Sequence, residues 1–335
     1  MRKLLVGLLL LCVVFVSACA QKTVTRASDE HSQEPVTFTA VSFLPKNDPL
    51  TITLNEWIEE VEKVTEGRVK IDWKGGANII PVNLQFEALR SEIVDVLFTY
   101  TGQYHSQAPA VSALPLSQLS PWEERENGLY EEMVKEHKSL GVHYIGRWLS
   151  GSPRIWLNDP IEELAELDGM QIRSAPNYRR FFNDIGITSV MVAPTEVYTS
   201  LQTGVVNGFV YGGLVGPRRN GWTDASKYVL DHPFWNQNCT ILMNDDKWNE
   251  ISPEDQESII EATAAYEKNM VKHYLEEDEA EKEELTEAGV EFIQLSPQEA
   301  ETFIDRAYEV EWGYLEDQVP DKVERLRELT AKNKN

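Results

Sequence analysis

The run Met170-Gln171-Ile172-Arg173 ends an apolar-flanked segment on a cation. A guanidinium at the end of a buried strand is unfavourable unless an opposite charge meets it. Its planar fork of donors matches a carboxylate held by two parallel hydrogen bonds. The chemistry on offer is recognition of an anion, either an external carboxylate or an Asp or Glu of the chain itself. Groups for making and breaking bonds are not visible. The chain carries no Gly-x-Ser-x-Gly elbow, no His-Glu-x-x-His helix and no phosphate loop, and its histidines, at 31, 105, 137, 143, 232 and 273, do not cluster. His105 has no partner visible along the chain, so no catalytic residue, metal ligand or cofactor site is expected.

The 335 residues include 55 Asp and Glu against 31 Lys and Arg, a formal charge of −24. A nucleic-acid partner is excluded on that balance, because binding a polyanion depends on Lys and Arg displacing counterions and no basic cluster is present. With 42% hydrophobic residues and nine Trp there is ample apolar surface for a core. Length suggests about two domains on a prior of roughly 150 residues each.

Arg2 and Lys3, the apolar run Leu4 to Val16 and then Val16-Ser17-Ala18-Cys19 have the layout of a signal peptide. The apolar run falls short of the ~20 residues a spanning helix needs. Cys19 directly after Ser-Ala resembles a bacterial lipoprotein site, so residues 1–18 are expected to be removed and Cys19 lipidated, leaving an extracytoplasmic protein anchored to the cell membrane. The remaining chain is then more acidic still. Gln21 to Pro35 is polar and aperiodic and is expected to be a flexible spacer over 19–35. Cys12 leaves with the signal, and Cys239, the last thiol, is expected to be a buried small hydrophobe with no disulfide.

These residues must be positioned by an α/β scaffold. Val36 to Val41 alternates as a strand; Thr53-Leu54-Asn55-Glu56 offers a capping box, and Leu54, Trp57, Ile58, Val61 and Val64 form one apolar helix face. Strands follow over Arg68 to Trp73 and Val94 to Tyr100, with a helix between, which predicts a parallel sheet. A second α/β unit has strands at Val142 to Gly146, Ile155 to Leu157, Met170 to Arg173, Ser189 to Val192 and Asn207 to Tyr211. A helix opened by Pro194-Thr195-Glu196 places Val197, Leu201 and Val205 on one side. Ser252-Pro253-Glu254-Asp255 starts a helix that continues to about Ala288 without Gly or interior Pro. At 1.5 Å per residue it spans about 50 Å, enough to brace two lobes. Its acidic stretch Leu275 to Glu284 is expected to be a solvated face, because a calcium loop needs Gly and spaced donors on irregular backbone.

The stretch Asp168 to Gly208 resembles the solute receptors of TRAP transporters, the DctP-like family. It contains Gly169 to Arg173, Gly186, Pro194 and Glu196-Val197-Tyr198 followed by Leu201-Gln202-Thr203-Gly204-Val205-Val206-Asn207-Gly208. Phe86-Glu87-Ala88-Leu89 with Ile93 to Val96, Leu114-Pro115-Leu116 and Ile251 to Gln256 extend the likeness over the whole body. It implies a two-lobed periplasmic-binding-protein (Venus flytrap) fold. Lobe I would comprise 36–149 plus 239–274 and lobe II 150–238 plus 275–330, with the ligand between them. It further implies an organic-acid ligand, delivery to a small and a large membrane subunit, no enzymatic activity and a monomer. In the family the arginine matching Arg173 binds the substrate carboxylate. Arg154 occupies the place of a frequent second arginine, and Ser42, Tyr100 and Tyr211 align with cleft contacts. Relatives for acidic sugars and dicarboxylates often carry Asn near Tyr211 and a small polar or acidic residue near Tyr100, so two tyrosines imply a flatter or more apolar ligand body. Arg179 and Arg180 are expected to be solvated, or Arg180 paired with Asp184 one helical turn on. A receptor for an ABC importer shares the anchor and shape but not the Asp168 to Gly208 stretch; an exported enzyme has no residues to support it.

Overall fold

The computed structural model describes residues 35–192 and 196–332. The signal segment, Cys19 and the spacer up to Glu34 lie outside the described residues, as does the Pro194-Thr195 start of one expected helix.

Strands β1 (Val36–Ser42), β2 (Val69–Gly75), β3 (Val96–Thr99) and β4 (Val142–Leu149) come from the first half of the chain. β5 (Pro153–Leu157), β6 (Gln171–Arg173), β7 (Thr188–Val190), β8 (Gly208–Gly212), β9 (Tyr228–Leu230), β10 (Asn238–Asn244) and β11 (Glu291–Ile293) follow. They build two sheets, one in the order β2-β1-β3-β10-β4 and one in the order β11-β9-β5-β8-β6-β7. Each is covered by helices that bury one apolar face, as Leu54, Trp57 and Val61 do for the helix Leu54–Val64.

The sheets are mixed rather than parallel. β1 runs parallel with β2 and β3 as the alternating pattern predicts, but β10 enters between β3 and β4 antiparallel to both. It reaches the first sheet from the second after the crossing segment 231–237, so its partners lie far back in the chain and local periodicity does not reveal them. β5 is likewise antiparallel to β8 and β9.

The 35-residue helix Pro253–Glu287 starts as expected, with the Ser252 hydroxyl accepting the Asp255 N–H at 3.1 Å. Its first half packs on the first sheet: Trp57 Nε1 donates to Thr263 Oγ1 at 2.9 Å, and Arg125 clamps Glu267 at 2.7 and 2.9 Å. Its second half meets the second sheet, where Leu285 joins the cluster of Trp156, Phe209 and Trp222. The acidic stretch is only partly solvated. Asp278 Oδ1 accepts the Leu214 N–H at 2.8 Å, and Arg218 pairs with Glu281, which is buried. A helix that bridges two lobes turns part of every face inward.

Three other local expectations are displaced by distant partners. Thr53 does not cap its helix; its hydroxyl lies 3.1 Å from the Tyr266 hydroxyl and 3.2 Å from that of Tyr274. Val205 is exposed, since the helix Val197–Gln202 stops short of it, and Val206 is the buried residue. The final helix Pro320–Thr330 packs on the first lobe rather than the second. Leu326 and Leu329 share a cluster with Leu129 and Met133, and Asn127 Nδ2 donates to the Leu329 carbonyl at 2.7 Å.

Candidate functional site

β6 lies between β7 and β8 and runs parallel with both, so three carboxyl ends point to one edge of the second sheet, the usual ligand edge of an α/β sheet. Arg173 is the last residue of β6. Its Nε donates to the Val192 carbonyl at 3.2 Å, its guanidinium carbon lies 5.8 Å from the Trp222 ring centre, and no carboxylate pairs with it among the described residues. Burial lowers the Arg173 pKa from its ordinary value, and the phenols of Tyr100, Tyr211 and Tyr178 oppose that shift only in part. A cation in this setting has donors to give and no charge to answer it.

Tyr211, on β8, brings the two lobes together. Its ring packs edge-on to Trp222 of the second lobe, 5.5 Å between centres, and also against the first-lobe cluster that contains Phe43 and Leu50. Its hydroxyl is buried without a hydrogen-bond partner among the described residues, and burial raises its pKa. The ring is backed by Gly216, where a Cβ would stand 2.3 Å from Tyr211 ring carbon. Tyr100 comes from the first lobe, directly after β3. Its ring meets Phe43 edge-on at 5.1 Å and its hydroxyl accepts from the Gln103 amide. Burial raises its pKa too, with Arg173 pulling the other way.

Arg154 and Ser42 are not brought into this cluster as free groups. Arg154 opens β5 opposite Tyr211, but its Nε donates to Asp231 Oδ1 at 3.0 Å. Asp231 also takes Lys282 Nζ at 2.7 Å and Gln294 Nε2 at 3.1 Å. Burial works to raise the Asp231 pKa, yet Lys282 and Arg154 hold it below the ordinary value. Ser42 is fully buried, donates to the Leu44 carbonyl at 2.6 Å and accepts from Trp73 Nε1 at 3.0 Å, so its hydroxyl is satisfied within the first lobe.

Arg179 is exposed. Arg180 does not pair with Asp184: its Nε donates to Glu311 Oε1 at 2.8 Å and its plane covers Tyr314 at 3.7 Å, while Asp184 takes Arg306 Nε at 2.6 Å. The helix Pro297–Gln318 supplies both substitutes, and nothing in the 179–184 segment announces it. His105 turns its Nδ1 to the Gly102 carbonyl at 3.0 Å. Cys239 is buried, with its thiol pKa pushed up to about 12 by burial.

Two residues at the site were not legible in the sequence. Tyr178 stacks on Trp235 and donates to Gln237 Oε1 at 3.0 Å, tying the edge of the second sheet to the crossing segment. Its one signal is its place five residues beyond Arg173. Asp48, in the turn after β1, faces Tyr211 from the first lobe; Asn47-Asp48-Pro49 reads only as a turn. Two small voids of about 10 Å³ each lie alongside, lined among others by Thr101, Asn177 and Trp235, and Arg173 is in the wall of neither.

A family profile described as bacterial extracellular solute-binding protein, family 7 (DctP) matches residues 40–314. A solute-binding protein of Roseobacter denitrificans is 24% identical over 249 residues, which cover 71% of this chain and 75% of that protein. Among solved structures, a TRAP periplasmic solute-binding protein from Desulfovibrio salexigens with bound orotic acid superposes with a TM-score of 0.78 at 18% identity, covering 88% of this chain and 97% of that one. A Bordetella pertussis extracytoplasmic solute receptor binding pyroglutamic acid gives 0.78 at 16% identity, covering 89% and 100%.

Proposed function

Since the chain belongs to family 7 of the bacterial extracellular solute-binding proteins, the DctP family of TRAP-type solute receptors, we propose that it captures a carboxylate-bearing small molecule between its lobes and delivers it to the small and large membrane subunits of a TRAP transporter. One observation carries the ligand class: Arg173 stands half-buried at the carboxyl ends of three strands with no carboxylate beside it among the described residues. Among the described residues, the buried Arg147 pairs with Glu124 and the half-buried Arg125 pairs with Glu267. A ligand carboxylate is the missing half of the pair. The orotic and pyroglutamic acids bound by the two structural neighbours are carboxylic acids as well.

Tyr100 from the first lobe and Tyr211 from the second are assigned to the ligand body. A molecule that touches both lobes favours the closed population by its differential affinity for it. Arg154 is assigned a supporting role through Asp231, and Ser42 supports the cleft by holding Trp73. The receptor is proposed to act as a monomer, extracytoplasmic and anchored through lipidated Cys19. Differential scanning fluorimetry against a broad library of organic acids tests the reading: at least one acid should raise the melting temperature of the native chain and leave that of Arg173→Ala unmoved. Uniform silence across the library would overturn it.

A further inference from the structure

One of the two voids lies between the lobes, with a volume of about 10 Å³ that is room for one water-sized group. Its wall takes Tyr100 from the first lobe, Asn177 and Tyr178 from the single turn Pro176–Tyr178 that follows Arg173, and Asn238 from the start of β10. Asn238 is only 3% exposed. Its Nδ2 donates to the Asn236 carbonyl at 3.3 Å, which orients the amide, and its Oδ1 is buried with no hydrogen-bond partner among the described residues. Asn177 Oδ1 is buried and unpartnered in the same way. It sits against the first lobe, since a Cβ at Gly102 would stand 2.6 Å from it. Donors elsewhere in the wall are engaged: Trp235 Nε1 with the Ala307 carbonyl at 2.9 Å, Asn236 Nδ2 with the Ser117 carbonyl at 2.6 Å and the Tyr178 hydroxyl with Gln237 Oε1 at 3.0 Å. The void therefore presents two unanswered acceptors, one from each lobe.

We infer that this void is a second ligand subsite, in which Asn177 Oδ1 and Asn238 Oδ1 take a nitrogen bearing at least two hydrogens, so that the ligand is an acid with an amino or carboxamide group. This rests on the carboxylate reading above and sharpens it. A buried carbonyl oxygen without a donor is unfavourable, and a group of this kind answers both oxygens at once, whereas a hydroxyl has one hydrogen to give and a methyl group none. The size agrees, because such a nitrogen occupies about the space of one water. Asn177 stands four positions beyond Arg173 at the same strand end, which brings the two subsites to one end of β6. A nitrogen shared between amides of different lobes also favours the arrangement in which the lobes meet.

The test sets a nitrogen-bearing acid against the analogue in which a methyl group replaces the nitrogen, L-alanine against isobutyrate and succinamate against levulinate. Calorimetry compares the native chain with Asn238→Leu, Asn177→Leu and Arg173→Ala. In at least one pair the nitrogen-bearing member should bind about tenfold more tightly or better. Either Leu variant, close to Asn in shape but without the acceptor, should reduce that preference to about twofold or less. Asn177 lies outside both sheets, so Asn177→Leu carries the comparison if Asn238→Leu does not fold. Equal binding within both pairs, the result of a water held permanently in the void, overturns the inference, as does a preference that survives the Leu substitutions. So does silence from both nitrogen-bearing acids while other acids of the wider library bind. If acids bind through Arg173 without regard to the nitrogen, only this inference falls; if Arg173→Ala binds them as the native chain does, or the whole library is silent, the proposed function falls first.

Discussion

Arg173 and Arg154 lie on one face of the same sheet, and only Arg154 has a carboxylate, Asp231, 3.0 Å from its Nε. Arg173 faces phenols instead. Removing the two should therefore have opposite consequences. Arg173→Ala should abolish ligand-induced stabilisation while the melting temperature of the free protein holds or rises, because an enclosed unpaired cation is unfavourable in the free state. Arg154→Ala should lower stability by about 1–2 kcal/mol, limited because Lys282 and Gln294 still hold Asp231. Thermal melts of both variants with and without ligand give the comparison.

Gly216 leaves room for the Tyr211 ring, and a Cβ there would stand 2.3 Å from it. Gly216→Ala should push the ring toward the cleft and weaken ligand binding by about tenfold without touching the ligand. Titration calorimetry reads this directly; a native affinity would show that Tyr211 has no part in binding.

Glu267 holds the first lobe together. It takes Arg125 Nε and Nη2 at 2.7 and 2.9 Å and the Arg147 backbone N–H at 2.9 Å, all at a buried site. Glu267→Ala strands the Arg125 cation and should cost about 3–5 kcal/mol. Urea denaturation of the variant against the native chain measures the loss.

His137 and His143 are enclosed in the same lobe, and burial pulls both pKa values down to about 4 from 6.5. Above 6.5 both folded and unfolded forms are neutral there. As pH falls below 6.5 the unfolded chain takes up protons that the folded one refuses, so stability declines down to about pH 4 and the contribution then levels off. Melting temperature against pH should show that slope, and His137→Asn should flatten part of it. His137 is also the residue whose Nε2 meets the Tyr104 hydroxyl at 2.9 Å, so the variant starts from a lower plateau.

Much of the scaffold was legible along the chain. The Ser252 cap, the helix of 35 residues behind it and the strands from β1 to β8 follow from spacing and turn residues, which act over a few positions. What was not legible involves partners far apart in sequence. The Thr53 hydroxyl passes over its own helix for Tyr266 and Tyr274, more than 200 positions away. Arg180 passes over Asp184 for Glu311.

By itself the sequence determined that Arg173 ends a strand of an α/β unit, because strand periodicity and the surrounding motif are local. It could not determine which arginine would be left without a carboxylate. Ion pairing depends on distance in space: Glu281 and Glu311 reach Arg218 and Arg180 from two long helices, and Asp231 reaches Arg154 only once β9 has paired with β5. The tertiary structure thus singled out Arg173 by subtraction: it gave Arg147, Arg154, Arg180 and Arg218 carboxylate partners and left Arg173 without one among the described residues.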